Sequence, residues 1–204
     1  THDWREGTYK NYFWMVPHNL STLIDTVGGK EFAEKRLDSL FTRLDADYHQ
    51  DWFAAGNEPD FQVPWIYNWV AKEQKTNDVI SRIIDEMYSS KEDGLPGNDD
   101  LGTMGAWYVF ASLGLYPLIP GVGGFSTNIP QFMESNITLG NGNILNISKD
   151  DTNGKFLNKM ELNKVPLVSS WVSWNKIKLG GEMKFFTSNS ISKNNFTKEP
   201  PSFK

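Results

Sequence analysis

The chain contains no cysteine, which excludes disulfide staples, thiol nucleophiles and cysteine-ligated zinc. This absence does not exclude secretion, because 204 residues suffice to bury a core without covalent staples. Histidine is scarce as well. His2, His18 and His49 stand in neither an HExxH nor a GxSxG context, so the common zinc-protease and serine-hydrolase patterns are missing. No apolar run approaches the ~18–20 residues of a membrane-spanning helix. Basic residues form neither patch nor stripe and the formal net charge is −5, which argues against a nucleic-acid partner. The glycine-rich "GLPGNDDLG" (94–102) lacks the GK[ST] ending of a phosphate-binding loop. "KDDTNGKFLNKME" (149–161) places Asp151, Asn153 and Gly154 at calcium-loop offsets, yet Lys149 and Met160 occupy its first and twelfth positions. A β-turn at Asn153-Gly154 is the better reading.

What is present is hydrophobic, aromatic and acidic. Hydrophobic residues make up 39% and aromatics 14%, with eight tryptophans, enough for a substantial core and for ring faces on which a sugar can stack. The first part reads as helical. Leu20, Leu23, Ile24 and Val27 share a face that stops at Gly28-Gly29, followed by Phe32, Leu37, Leu40 and Phe41 at helical spacing. Val79, Ile80, Ile83, Ile84, Met87 and Tyr88 make one stripe opposite charges. "TMGAWYVFASLG" (103–114) is apolar nearly all round, which predicts a helix buried on all sides. Beyond "LIPGVGG" the pattern alternates, with a hairpin signal at Asn141-Gly142. The expected organisation is α+β: helices over 1–120, an antiparallel β segment over 121–190 and a loose polar tail over 191–204. The opening "THDWREG" is not of signal-peptide type and has no initiator Met, so part of a longer polypeptide is expected. Sequons at Asn19, Asn136, Asn146 and Asn195 support a secretory route.

The chemistry-bearing pattern is carboxylates beside aromatics. "DWREGTYKNYFWMVPHN" carries Glu6, "WFAAGNEPDFQVPWIYNW" carries Glu58 and Asp60, and "GLPGNDDLG" carries Asp99 and Asp100; "RLDADYHQDW" is a weaker fourth case. Glycoside hydrolysis requires such a pair, one carboxyl to protonate the leaving oxygen and one ionised. A carboxyl group against an aromatic ring tends to stay protonated, which suits the acid. Taken alone, Asp99-Asp100 also reads as a turn leading into a helix N-terminus.

Three of these segments resemble glycoside hydrolase family 92, the calcium-dependent exo-α-mannosidases. Glu6, Gly7, Tyr12, Trp14 and Val16-Pro17-His18 are similar to that family's EGxxxxYxWxVPHD block. "GNEPDFQVPWIYNW" resembles its GNEPxHxxPYLYN block and "DGLPGNDDLGTMGAWYVFASLGLYP" its DGxxGNDDxGxMSAWYVxSxxGFYP block. The resemblance implies the last helices of an (α/α)6 barrel and a trailing β segment, without the N-terminal β-sandwich and early barrel. It implies Glu6 as general acid, Asp100 as general base with Asn98 as helper, and Glu58, Asn57 and His18 around the terminal mannose. Glu58 and Asn57 would also serve Ca2+. The implied reaction is inverting release of terminal α-mannose, α-1,2-linked, from N-glycans or mannans by a secreted enzyme. Acid and base would then stand ~6.5–9.5 Å apart with a water between them. Alone, the chain would be inactive for want of the rest of the pocket; the alternative is a carbohydrate-binding remnant. Departures from the motifs fall at Lys10, Asn11, Asn19, Asp60, Phe61 and Gly105. Lys10 is the one expected to disturb the acid, by placing a positive charge beside it.

Overall fold

Helical periodicity becomes helix where a cap closes the first turn and glycine ends the last. In the computed structural model, which describes residues 4–151, 153–190 and 196–203, α1 (Tyr9–Tyr12) opens on a capping box between Thr8 and Asn11. Asn19 caps α2 (Leu20–Thr26), and Gly28 and Gly29 stop it at φ of 109° and 88°, backbone that glycine adopts without a Cβ clash. α3 (Lys30–Leu40) buries Ala33, Leu37 and Leu40. Phe32, expected on that face, is 48% exposed: it lies roughly 100° round the helix from Ala33, and its ring covers Gly28 instead. α4 (Glu73–Met87) buries Val79, Ile80, Ile83 and Ile84 as expected, with Met87 and Tyr88 packed at the edge.

α5 (Thr103–Leu113) corrects the sequence reading. Met104, Trp107 and Ala111 face the core, but Tyr108 and Val109 are 39% and 54% exposed. An apolar sequence specifies a helix that can be covered on both sides; here one side is covered. No helix of the described residues is long and apolar enough to cross a membrane.

The centre of the helical part is a 3-10 helix over Val63–Val70 in which every residue is buried. Burial of this kind requires that each polar group find a partner. Trp65 Nε1 donates to Asn128 Oδ1 at 3.1 Å, and Asn68 Nδ2 to Ser126 Oγ at 2.9 Å. Asn68 Oδ1 accepts from Thr76 at 2.7 Å, and Trp69 Nε1 donates to the Pro201 carbonyl at 3.1 Å. The Trp65 ring stacks on Tyr116 with centroids 4.1 Å apart.

The strands are β1 (Leu115–Tyr116), β2 (Gly124–Thr127), β3 (Glu134–Thr138), β4 (Ile144–Lys149), β5 (Phe156–Leu162), β6 (Val165–Leu167), β7 (Trp171–Ser173) and β8 (Gly181–Ser188), with α6 (Trp174–Ile177) before β8. They form a sheet ordered β1-β2-β7 and a second ordered β3-β4-β8-β5-β6. The expected hairpin joins β3 to β4, with Gly142 at φ 81°. The segment is not wholly antiparallel: β4 and β8 run parallel. β8 returns from the other sheet by way of α6 and enters between β4 and β5, and a crossover of that kind is what parallel neighbours need. Leu145, Ile147, Leu157, Met160, Met183 and Phe185 form this sheet's core.

The expected loose tail is corrected for residues 196–203. The Thr197 and Lys198 N–H groups both donate to the Val168 carbonyl at 2.9 Å, Phe203 N–H donates to the His18 carbonyl at 2.7 Å, and Lys30 pairs with Glu199. A polar, proline-containing sequence lacks its own regular bonds but can borrow those of neighbouring turns. Residues 191–195, with the Asn195 sequon, lie outside the described residues.

One ion-pair cluster links α3 to α4. Glu34 sits 2.8 Å from Lys75 and 3.1 Å from Lys72, and the Lys75 ammonium, then Lys72, holds the Glu34 carboxyl below its ordinary 4.5. A carboxyl depressed on folding stabilises at pH values above its unfolded pKa and loses that contribution as pH falls through its folded value. Glu34→Gln is therefore expected to cost about 1 kcal/mol at pH 7. In urea denaturation the gap from the unsubstituted protein closes as pH falls below 4.5.

Candidate active site

Glu6 lies on a short strap ahead of α1. Gly7 follows because a Cβ there would come 2.8 Å from the Tyr12 ring, too close for any side chain. The strap lies flat on that ring, and Trp4 stacks on Tyr12 with centroids 5.2 Å apart. Asn57 Nδ2 donates to the Glu6 carbonyl at 2.9 Å. The spacing of Glu6, Gly7 and Tyr12 is thus a folding rule for the strap: one residue presents a carboxyl, one has no side chain and one supplies the floor. The Lys10 ammonium lies 2.8 Å from Asp51, in the neighbouring turn.

Asn57 and Glu58 stand at the mouth of a 3-10 turn over Glu58–Asp60. Gly56, just before it, meets Gly97 backbone to backbone: a Cβ on Gly56 would lie 2.6 Å from the Pro96 carbonyl oxygen, and one on Gly97 2.7 Å from that of Gly56. This contact sets the turn carrying Asn57 and Glu58 beside the loop carrying Asn98 and Asp100. Glu58 Oε1 is buried without a hydrogen-bond partner. Asp60 is 1% exposed, and burial pushes its carboxyl up to about 7, against the pull of the Ala54 N–H and Asn11.

The two aspartates of the next loop divide their work. Asp99 Oδ1 accepts from the N–H groups of Met104 (3.1 Å) and Gly105 (3.2 Å), capping α5. Asp100 is exposed, and its Oδ1 accepts from Asn98 Nδ2 at 2.5 Å. Asp100, Leu101 and Gly102 have φ of 33°, 62° and 83°. For the two non-glycine residues this left-handed backbone costs on the order of 1–3 kcal/mol each. Asp99's hold on the helix N-terminus keeps the chain in that conformation and turns Asp100 outward.

Glu6, Asn57, Glu58, Asn98 and Asp100 line one cavity of ≈ 400 Å³. Asp45, Asp47 and Tyr48 line it too; they belong to the segment that its carboxylate–aromatic content marked only weakly, because no local spacing announces where a turn will point. Asp45 is paired with Arg43 at 2.8 Å. His18 is not among the lining residues; it is exposed on a turn over Pro17–Asn19. Among the described residues no group of three histidine, cysteine or acidic side chains forms a ready metal cage. The arrangement offers two separate carboxylates with a polar amide beside one of them, the equipment for acid–base attack by water. Gly56→Ala is expected to force the two loops apart, costing about 1–3 kcal/mol in stability. Gly105→Ala, where the added Cβ meets open space, is expected to leave stability intact; thermal melts compare the pair.

The profile of the glycosyl hydrolase family 92 catalytic domain matches residues 1–189. An uncharacterized secreted glycosidase of Arthroderma benhamiae is 33% identical over 114 residues, 56% of this chain and 14% of that protein. The family 92 α-mannosidase BT3965 of Bacteroides thetaiotaomicron, solved in complex with mannoimidazole, superposes with a TM-score of 0.87 at 28% identity, over 96% of this chain and 28% of its own. The inverting mannosidase BT2199 of Bacteroides thetaiotaomicron shares the fold at 23% identity, with a TM-score of 0.83 over 97% of this chain and 30% of its own. The chain therefore spans less than a third of each relative. With the profile covering nearly its whole length, the chain belongs to glycosyl hydrolase family 92.

Proposed function

We propose that this chain carries the acid–base pair of a mannosidase that releases terminal α-linked mannose with inversion. The observation that carries the reading is the single cavity lined by Glu6, Asn57, Glu58, Asn98 and Asp100, drawn from sequence-remote segments. Glu6 protonates the glycosidic oxygen as the bond breaks. Asp100 takes a proton from water approaching the opposite face of the sugar. The Asn98 amide bonded to Asp100 orients its carboxylate. Asp99, committed to the helix, takes no part.

Ca2+ is proposed as the cofactor. The donor set is all oxygen, which suits a hard cation, and the buried, unpartnered Oε1 of Glu58 lacks the partner that such an ion or a sugar hydroxyl would provide. Glu58 and the Asn57 side-chain oxygen would hold it, with other oxygens from water and substrate. Bound there, it would supply positive charge to grip the mannose hydroxyls. The full proposal includes an α-1,2 linkage in N-glycans or mannans and a place in the last part of an (α/α)6 barrel, with the remaining pocket walls supplied by the rest of the enzyme. Secretion is supported by the sequons and by the secreted Arthroderma benhamiae relative.

In the full polypeptide that carries these residues, Asp100→Asn is expected to lower kcat on every α-mannoside by about 10²–10⁴-fold. Glu6→Gln is expected to do the same for methyl α-mannoside and to spare an activated aryl mannoside; hydrolysis surviving both substitutions would assign the roles elsewhere. Chelation is expected to abolish turnover and added Ca2+ to restore it, while Glu58→Gln raises the Ca2+ concentration giving half-maximal rate by roughly tenfold or more.

A further inference from the structure

Behind the candidate acid lies a buried polar contact that the proposed mechanism does not use. Asp60 is 1% exposed and its Oδ2 accepts the Ala54 N–H at 2.9 Å. Its Oδ1 is buried without a hydrogen bond. α1 packs against this turn, and its Asn11 side chain, 2% exposed, reaches the same backbone segment. Asn11 Nδ2 donates to the Trp52 carbonyl. Asn11 Oδ1 accepts from Thr8 N at 2.7 Å and from the Thr8 hydroxyl at 3.0 Å. That same oxygen abuts Gly7, 3.1 Å from where its Cβ would stand. Asp60 thus holds, at Ala54, the segment whose Trp52 carbonyl holds Asn11, and through Asn11 the helix whose cap, Thr8, stands two residues beyond Glu6.

A buried carboxyl with one unpartnered oxygen is costly to keep, and a core of this kind could be packed with apolar side chains instead. What the polar arrangement adds is direction. Asn11 has its amide and its oxygen committed on opposite sides, so the strap has one height that satisfies both. We infer that Asp60 and Asn11 form a buried clamp that sets the position of Glu6, making Asp60 a positioning residue for proton donation to the leaving oxygen. This rests on the mannosidase reading. It predicts an effect confined to the step that needs the acid, because displacing a proton donor matters only where a proton must be donated.

The test compares leaving groups in the full polypeptide with Ca2+ present. 2,4-Dinitrophenyl α-mannoside departs without protonation, whereas methyl α-mannoside requires it. Asp60→Ser shortens the side chain and withdraws it from the Ala54 N–H that it holds. It is expected to lower kcat/KM on the methyl glycoside about tenfold or more beyond any loss on the dinitrophenyl glycoside. Asp60→Asn, which keeps the reach and the acceptor for Ala54 N–H, is expected to hold the ratio of the two substrates within roughly threefold of the unsubstituted protein. Should Asp60→Ser fail to fold, Asn11→Gln makes the same comparison by pushing on Thr8. Equal losses on both substrates would overturn the positioning role and leave the mannosidase reading standing. Absence of turnover by the unsubstituted protein on either substrate would overturn the mannosidase reading, and the clamp's role with it.

Discussion

The missing methyl groups at Gly56 and Gly97 are the constraint on which the site depends. Two loops 41 positions apart in the chain approach until each backbone occupies the space of the other's Cβ. That contact is non-directional and contributes little energy of its own. Its consequence is geometric, because Asn57 and Glu58 follow one glycine directly and Asn98 and Asp100 follow the other. Asn57 then reaches back to the Glu6 carbonyl, so the strap bearing the candidate acid is referenced to the same point. The three carboxylates come from different segments, and the shared contact brings those segments to one cavity.

Around that point the structure separates holding from acting. In the loop over 94–102, Asp99 spends its carboxylate on two helix N–H groups, and Asp100, in left-handed backbone, remains available. Asn57 spends its amide on Glu6 and keeps its oxygen. Asp60 is spent entirely inside. Neighbouring residues of the same type therefore differ in role through what they touch, and helix α5, packed on the core through Met104, Trp107 and Ala111, provides the mount for the strained loop.

Much of this was legible in the residues. The stripe of α4, the glycine stop of α2 and the hairpin at Gly142 follow from local spacing, and the motifs that resemble family 92 single out Glu6 and Asp100 as residues. The departures were legible as departures but not in their effect. Lys10, beside the strap in sequence, pairs with Asp51. Asn19 caps α2, and Phe61 is buried with its carbonyl accepting from Trp107 Nε1 at 3.0 Å. Nothing in the structure requires glycine at 105. The exposed face of α5, the parallel β4–β8 pair and the anchored residues 196–203 were not legible. Each depends on which distant segment arrives beside it.

The sequence by itself determined the local devices: caps, turns, the apolar stripes, and the residue types that acid–base chemistry on a sugar requires. These follow from the periodicity of the backbone and the chemistry of single side chains, which act over a few residues. The tertiary structure alone decided that Glu6 and Asp100 line one cavity and that His18 does not, that Asp45, Asp47 and Tyr48 join them, and that Asp60 is shut away in the interior. Those outcomes depend on close approach between remote segments. Such an approach is governed by excluded volume and by the partners available to each buried polar group, and neither exists until the chain has folded.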